Sequence, residues 1–378
     1  MRNKIFILVT GSLLFSTTVI LILYAFSDKP IRQYDFIRFY PPQPITLLSS
    51  IDIQYNSYYI AGGTANHLFL GNFTAPLHLL VTNKTLTDTQ HVQLKIKELE
   101  KYKLRSLMVT VDSPYFYCTD GAAPAIFKGT IDKFEANKLK DDKAYFETFI
   151  PLSQSSFALT MISSASKENI LARQTTYPPY LQQFNTILEK QVDGIFCTEG
   201  MLHYSRELAG LVYLYHYRNQ YIYMDSSLNV KYKSNTIDPI SQAQIKVGEI
   251  KSSNSVRITG TPLTVNRQSC VTGRWLFIDA NLLAKNDPPD ILDHSSVIDL
   301  YDLKEGTYQF SFHLPEQQGA KIGKFRVFGD KLFALYDRFL FMYQINTKYL
   351  DNPQELRKGN LVSIGGNNQL SKLYHEQL

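Results

Sequence analysis

Six times along this chain, a run of aromatic and β-branched residues leads through a short polar loop into a second such run. No helical period of useful length interrupts the series. The pairs are YYIAGG with HLFLGN at 58 to 72, YFYCTDG with AIFKGTI at 115 to 131, and FALTMISS with NILARQ at 157 to 174. They continue with GLVYLYHY and QYIYMD at 210 to 225, WLFIDANL and SVIDLYDL at 275 to 303, and LFALYD and FLFMYQI at 332 to 345. The spacing leaves room for one strand before and one after each pair, and self-similarity of this kind marks a repeat architecture. Candidate leading strands are SIDIQ, SLMVTVD, IFCTEGMLHYS and KFRVFGD; candidate fourth strands are HLLVTN, VKYKSNTI and TYQFSFHL. A lone hairpin is marginal in water, whereas six twisted sheets packed face to face bury one another. The fold class expected is all-β, a six-bladed β-propeller over residues 47 to 346, which leaves only short protected sheet edges. No linker rich in Pro, Gly or Ser divides the region into a sandwich or two smaller β domains. The sixth unit lacks a fourth strand, so closure is expected from FIRFYP at 36 to 41 or LVSIG at 361 to 365.

Composition agrees with strands: 25 Tyr and 23 Phe stand against a single Trp, and such side chains suit a pleated, half-buried surface. At 44% hydrophobic and 19% charged, the chain is neither disordered nor fibrous. Its net charge of +5 is spread along the sequence, which gives nucleic-acid binding no support.

Residues 5 to 26 form an uncharged apolar run, long enough as a helix to cross the hydrocarbon core. Arg2 and Lys4 precede it, so the positive-inside bias keeps residues 1 to 4 in the cytoplasm and sends the rest outward. The expected organisation is a single-pass anchor in the inner membrane, a stem over 27 to 46, the extracytoplasmic propeller, and a polar tail over 347 to 378. A secretory signal cleaved near Ser27 is the alternative, leaving the domain free in the periplasm. Cys118, Cys197 and Cys270 are too few for a disulfide framework and sit in strand-like surroundings that favour buried thiols. Cys197 with Cys270 is the first pairing to test.

No nucleophile elbow, phosphate loop, dinucleotide fingerprint or HExxH helix is present, and the eight His never recur at ligand spacing. In a propeller the first strand of each unit lines the axial channel, so polar residues there are the candidates for binding. They are Asp52, Asp112, Glu199 with His203, Gln268 and Arg326. Carboxylates converging from several blades could hold a divalent cation such as calcium. Glu199 is the foremost of them, because its apolar neighbours make an unpaired carboxylate costly. Arg218 and Asn219 are expected to form a tight turn. Tyr213, Tyr215, Tyr217, Tyr221 and Tyr223 alternate and are expected on one blade face, as core more than as a sugar platform.

The MRNK start with its apolar anchor, and the stretch DGIFCTEGMLHYSRELAGLVYLYHYRNQYIYMD, resemble uncharacterised envelope proteins of Bacteroidota-type bacteria related to six-bladed TolB-like propellers. The resemblance spans roughly residues 1 to 346 and implies a membrane-anchored periplasmic propeller without catalytic residues to carry over. The function expected is a non-enzymatic binding or scaffolding module for an envelope protein or small ligand. A metal-dependent hydrolase of the lactonase type, with its cation in the channel, is the alternative. That enzyme needs at least three channel candidates gathered at one cation.

Overall fold

A computed structural model of the chain describes residues 2 to 25, 32 to 139, 144 to 250 and 255 to 351. Each recurring unit is an antiparallel four-stranded sheet that runs outward from an inner strand. The inner strands are Tyr58–Gly63, Met108–Asp112, Thr148–Ser153, Gly200–Ser205, Asn266–Thr272 and Lys324–Phe328, for blades 1 to 6. A short parallel strand, Lys95–Ile96, extends the outer edge of blade 2. Within each four-stranded unit every strand runs opposite to its neighbour. The start of each inner strand, the loop between second and third strands and the link to the next blade therefore share one end of the ring, called here the strand-start face.

The core lies between blades. Each of the six interfaces has its own apolar cluster, from Leu79 against Phe116 between blades 1 and 2 to Leu70 against Phe333 between blades 6 and 1. These clusters account for the sequence pattern. Second and third strands are covered on both faces and read as continuous apolar runs, so Gly210–Tyr215 is buried at every position.

The ring is closed by Ile45–Asp52, which pairs antiparallel with Phe339–Ile345 as the outermost strand of blade 6. This corrects two expectations. Residues 36 to 41 do not close the sheet, and SIDIQ is not the leading strand of blade 1; the other proposed closure, 361 to 365, lies outside the described residues. The physical reason is a phase error in the first unit. YYIAGG and HLFLGN are the first and second strands of blade 1, HLLVTN is its third and Thr89–Gln93 its fourth, which frees the preceding strand for blade 6. The other five pairs are second and third strands, as the spacing suggested.

Arg2–Ala25 is one continuous helix, apolar enough over Lys4–Ile22 to span a membrane or act as a signal sequence, and none of that stretch is buried. Phe6, at 74% exposed, is one of a series of exposed large apolar side chains along this helix. Thr10, Ser16 and Thr18 donate their hydroxyls to the carbonyls of Phe6, Ser12 and Leu14 at 2.8, 2.9 and 2.8 Å, hiding these polar groups along the helix.

The chain then runs along blade 5. Gln33–Tyr34 pairs with Leu283–Ala284 on the strand-start face, and Tyr34 and Phe36 pack with Leu282 and Val265. Arg38 is 2% exposed: its Nε donates to Asp299 at 2.8 Å, one terminal nitrogen donates to the Leu282 carbonyl at 2.9 Å, and it pairs with Asp287. Tyr40 donates to the same Asp287 at 2.6 Å. The cation is thus matched by two carboxylates and a carbonyl, the condition under which a buried charge is tolerated.

All three cysteines are free and buried. Burial pushes the thiols of Cys118 and Cys270 up to about 12, which leaves them inert.

Candidate functional site

The six residues singled out on the channel strands go to different places. Asp52 is at the end of the outermost strand of blade 6, beside Arg338 at 3.2 Å, far from the axis because of the phase error above. Asp112 ends the inner strand of blade 2, at the far end of the ring, where Arg206 of blade 4 donates to it at 3.1 Å. His203 of blade 4 is buried and shares a hydrogen bond of 2.7 Å with Ser269 of blade 5. Arg326 of blade 6 lies near enough for its charge to act on His203. Gln268 donates to Asp279 at 3.1 Å, and Arg267 pairs with the same carboxylate at 2.7 Å. Among the described residues no three His, Cys, Asp or Glu gather as a metal-holding group.

Glu199 is different. It lies immediately before the inner strand of blade 4, as Glu147 lies before that of blade 3, and both carboxylates line one cleft of about 190 Å³ between these blades on the strand-start face. The turn that carries Glu199 is fixed by Asp193, whose Oδ1 accepts the amides of Ile195 and Phe196 at 2.7 and 2.5 Å. Thr198 adds a hydroxyl bond to Gly194 O at 3.0 Å, ending the 3₁₀ turn Phe196–Thr198. Gly200 follows, and a side chain there would collide with the Leu214 carbonyl and the Tyr213 ring, so only glycine keeps the cleft this close to blade 4.

The other walls are supplied by Thr160 and Asn169 of blade 3 and by Tyr213 and His216 of blade 4. Asn169 is 8% exposed; its Nδ2 donates to Ile195 O at 2.7 Å, which fixes the amide orientation, and its Oδ1 has no donor among the described residues. His216 places Nδ1 at 2.7 Å from the Asn266 carbonyl. A carbonyl only accepts, so Nδ1 carries a proton and donates to it, which fixes the orientation of the ring. Tyr217 donates to Glu199 at 3.0 Å, and burial followed by the Glu199 charge raises its hydroxyl to about 12. The Glu147 carboxyl is raised by desolvation first and then by Glu199. Two carboxylates therefore face one cavity that, among the described residues, no Lys or Arg lines.

A second cleft, of about 210 Å³ between blades 5 and 6, is lined by Arg267, Gln268, Asp279 and Lys321, but these groups satisfy one another or a backbone carbonyl.

Two expectations about neighbouring residues need correction. Arg218 and Asn219 do more than turn the chain: Arg218 stacks over the Tyr215 ring at 3.6 Å and donates twice to the Glu189 carbonyl at 3.0 Å, while Asn219 donates to Asp238 O at 2.5 Å. They pin the links at 185 to 199 and from 236 onward over the strand-start face through Glu189 and Asp238, and Asn219 needs no positive φ. The tyrosines divide between two blade faces, because the register sets Tyr213 opposite Ile222 and Tyr221 opposite Leu214. Tyr213 and Tyr215 pack toward blade 3; Tyr221 and Tyr223 pack toward blade 5.

Glu147, Asn169 and His216 were not foreseen. Glu147 had a usable signal, being the residue before an inner strand just as Glu199 is. That strand, TFIPLS, was hidden by Pro151, which lacks an amide for the ladder and coincides with a register shift between Pro151 and Ser153.

No known protein family matches the sequence, and no curated protein does. Solved structures show likeness of fold. A protein of unknown function from Bacteroides thetaiotaomicron superposes with a TM-score of 0.48 at 8% identity, over 80% of this chain and 76% of that one. A catalytically inactive virginiamycin B lyase from Staphylococcus aureus gives 0.46 at 11% identity, over 80% of this chain and all of the other. YCF48 bound to a D1 peptide gives 0.44 at 10%, over 83% of this chain and all of that one.

Proposed function

We propose that this chain is a membrane-tethered, extracytoplasmic binding module that takes an envelope partner or ligand on its strand-start face. The observation that supports it most is the cleft between blades 3 and 4. Among the described residues its Asn169 acceptor is buried without a donor and no Lys or Arg lines the cleft beside its carboxylates, although buried polar groups in folded proteins are nearly always satisfied. The channel candidates, by contrast, are scattered or engaged with protein groups, and among the described residues no three His, Cys, Asp or Glu gather as a group that could hold a metal ion, as a lactonase-type hydrolase would require of its cation site.

The tether bears on the same face. Seven peptide steps separate Ala25, the last residue of the apolar helix, from Arg32, where the stem reaches blade 5. They span at most about 25 Å at roughly 3.6 Å per residue. With the helix in the inner membrane, the strand-start face is held close to the bilayer and toward partners there.

The test is photo-crosslinking of the full chain in intact cells. A photoreactive side chain at Ser166, on the strand-start loop of blade 3, should give a discrete adduct, and one at Gln154, on the opposite face, should not. Adducts from Gln154 alone, or no adduct together with turnover of an ester or lactone panel, would refute the proposal.

A further inference from the structure

We propose that the cleft between blades 3 and 4 receives an organic cation, a guanidinium or ammonium group, between Glu147 and Glu199. This rests on the binding-module reading and gives it a ligand class. The chemistry of the walls decides the sign of the ligand. Both Glu147 oxygens, the oxygen of Glu199 not bonded to Tyr217 and the Asn169 Oδ1 are acceptors, and among the described residues no Lys or Arg lines the cavity. An anion would meet two like charges; a neutral apolar group would leave the acceptors unsatisfied. What matches is a group that brings several N–H donors and a positive charge. A guanidinium offers five donors in a planar fork and an ammonium three.

Geometry favours an organic cation over a bare metal ion. A hard divalent cation takes six to eight oxygens in a close shell, whereas the acceptors here belong to two carboxylates and one amide spread over a cleft of about 190 Å³. That volume is several times the roughly 30 Å³ occupied by one water molecule in the liquid, enough for a planar multi-atom group. The raised Glu147 carboxyl fits the same picture, since the charge of a cation between the carboxylates would offset the cost of its desolvation and the repulsion from Glu199. The satisfied groups in the cleft between blades 5 and 6 show what a structural polar cluster looks like in this ring.

The experiment is calorimetric titration of the full chain in detergent with N-acetyl-arginine methylamide, its lysine counterpart and its neutral citrulline counterpart, a decapeptide with one central arginine, and calcium chloride. At least one cationic probe should bind, with the citrulline compound at least roughly tenfold weaker, since one charge-assisted contact is worth about that factor or more. Glu147→Gln and Glu199→Gln, which keep the side-chain shape, should each weaken binding at least tenfold while the melting temperature stays that of the parent. Tighter binding of the peptide than of the single residue assigns the cation to a polypeptide partner; equal binding assigns it to a small amine. Equal binding of arginine and citrulline probes, no binding by any cationic probe, or calcium binding that both Gln variants abolish would overturn the inference. Should crosslinking from Ser166 persist while every cationic probe fails, the inference falls and the binding-module reading stands.

Discussion

Arg38 shows how one side chain can secure a segment that contributes no strand of its own. Its guanidinium joins the stem to Asp287 and Asp299 of blade 5 inside the protein. Removing one partner from a buried ion pair leaves the other charges uncompensated, at a cost of about 3–5 kcal/mol. Arg38→Met should lower unfolding stability in urea by that amount, and a change under about 1 kcal/mol, typical of exposed pairs, would deny the cluster its role. His203 gives a pH signature. Its pKa is pushed down to about 3 by burial first, then by the charges of Arg326 and His216. The folded state thus keeps the ring neutral while the unfolded chain takes up a proton below its ordinary pKa near 6.5. Stability should be unaffected by this group above about pH 6.5 and fall as pH drops from there toward 3, by up to about 1.4 kcal/mol per pH unit. His203→Asn should flatten that slope in denaturant titrations at pH 4 to 7; an unchanged slope would contradict the buried neutral imidazole. At this scale the sequence was partly informative. Glu199 stood out as a carboxylate among apolar neighbours, but the groups that give it meaning, Asn169 and His216, belong to other strands and become its neighbours only through register.

Elements were the most legible level, because alternation and turns are local properties. Five of the six central pairs fall on second and third strands. Closure was not legible. Ile45–Asp52 pairs with residues almost 300 positions away, and nothing in ITLLSSID distinguishes an outermost strand from an inner one. The strand makes its own prediction. Without it, Phe339–Ile345 becomes an open edge and blade 6 is incomplete, so a chain beginning at residue 54 should lose its cooperative melting transition. A chain beginning at residue 32 should melt as the full protein does. Equal melting of the two would show that the ring closes some other way.

At the scale of the whole molecule, six packed interfaces make the ring a frame, on which long links at 185 to 199, 236 to 250, 255 to 265 and 281 to 294 accumulate around blades 3 to 5 of a single face. The stem enters at that face. A fluorophore on Arg338→Cys, in the strand-start turn of blade 6, should be quenched by lipid-headgroup quenchers more strongly than one on Gly329→Cys at the opposite end, the three native thiols being buried. The reverse order would mean that the ring hangs the other way. Recognition at the cleft is most directly examined by hydrogen–deuterium exchange on the full chain with and without the arginine-bearing decapeptide. The account predicts added protection confined to the segments around Glu147, Glu199 and His216, while protection appearing instead at the Asp112 end of the channel, or along the outer strands, would contradict it.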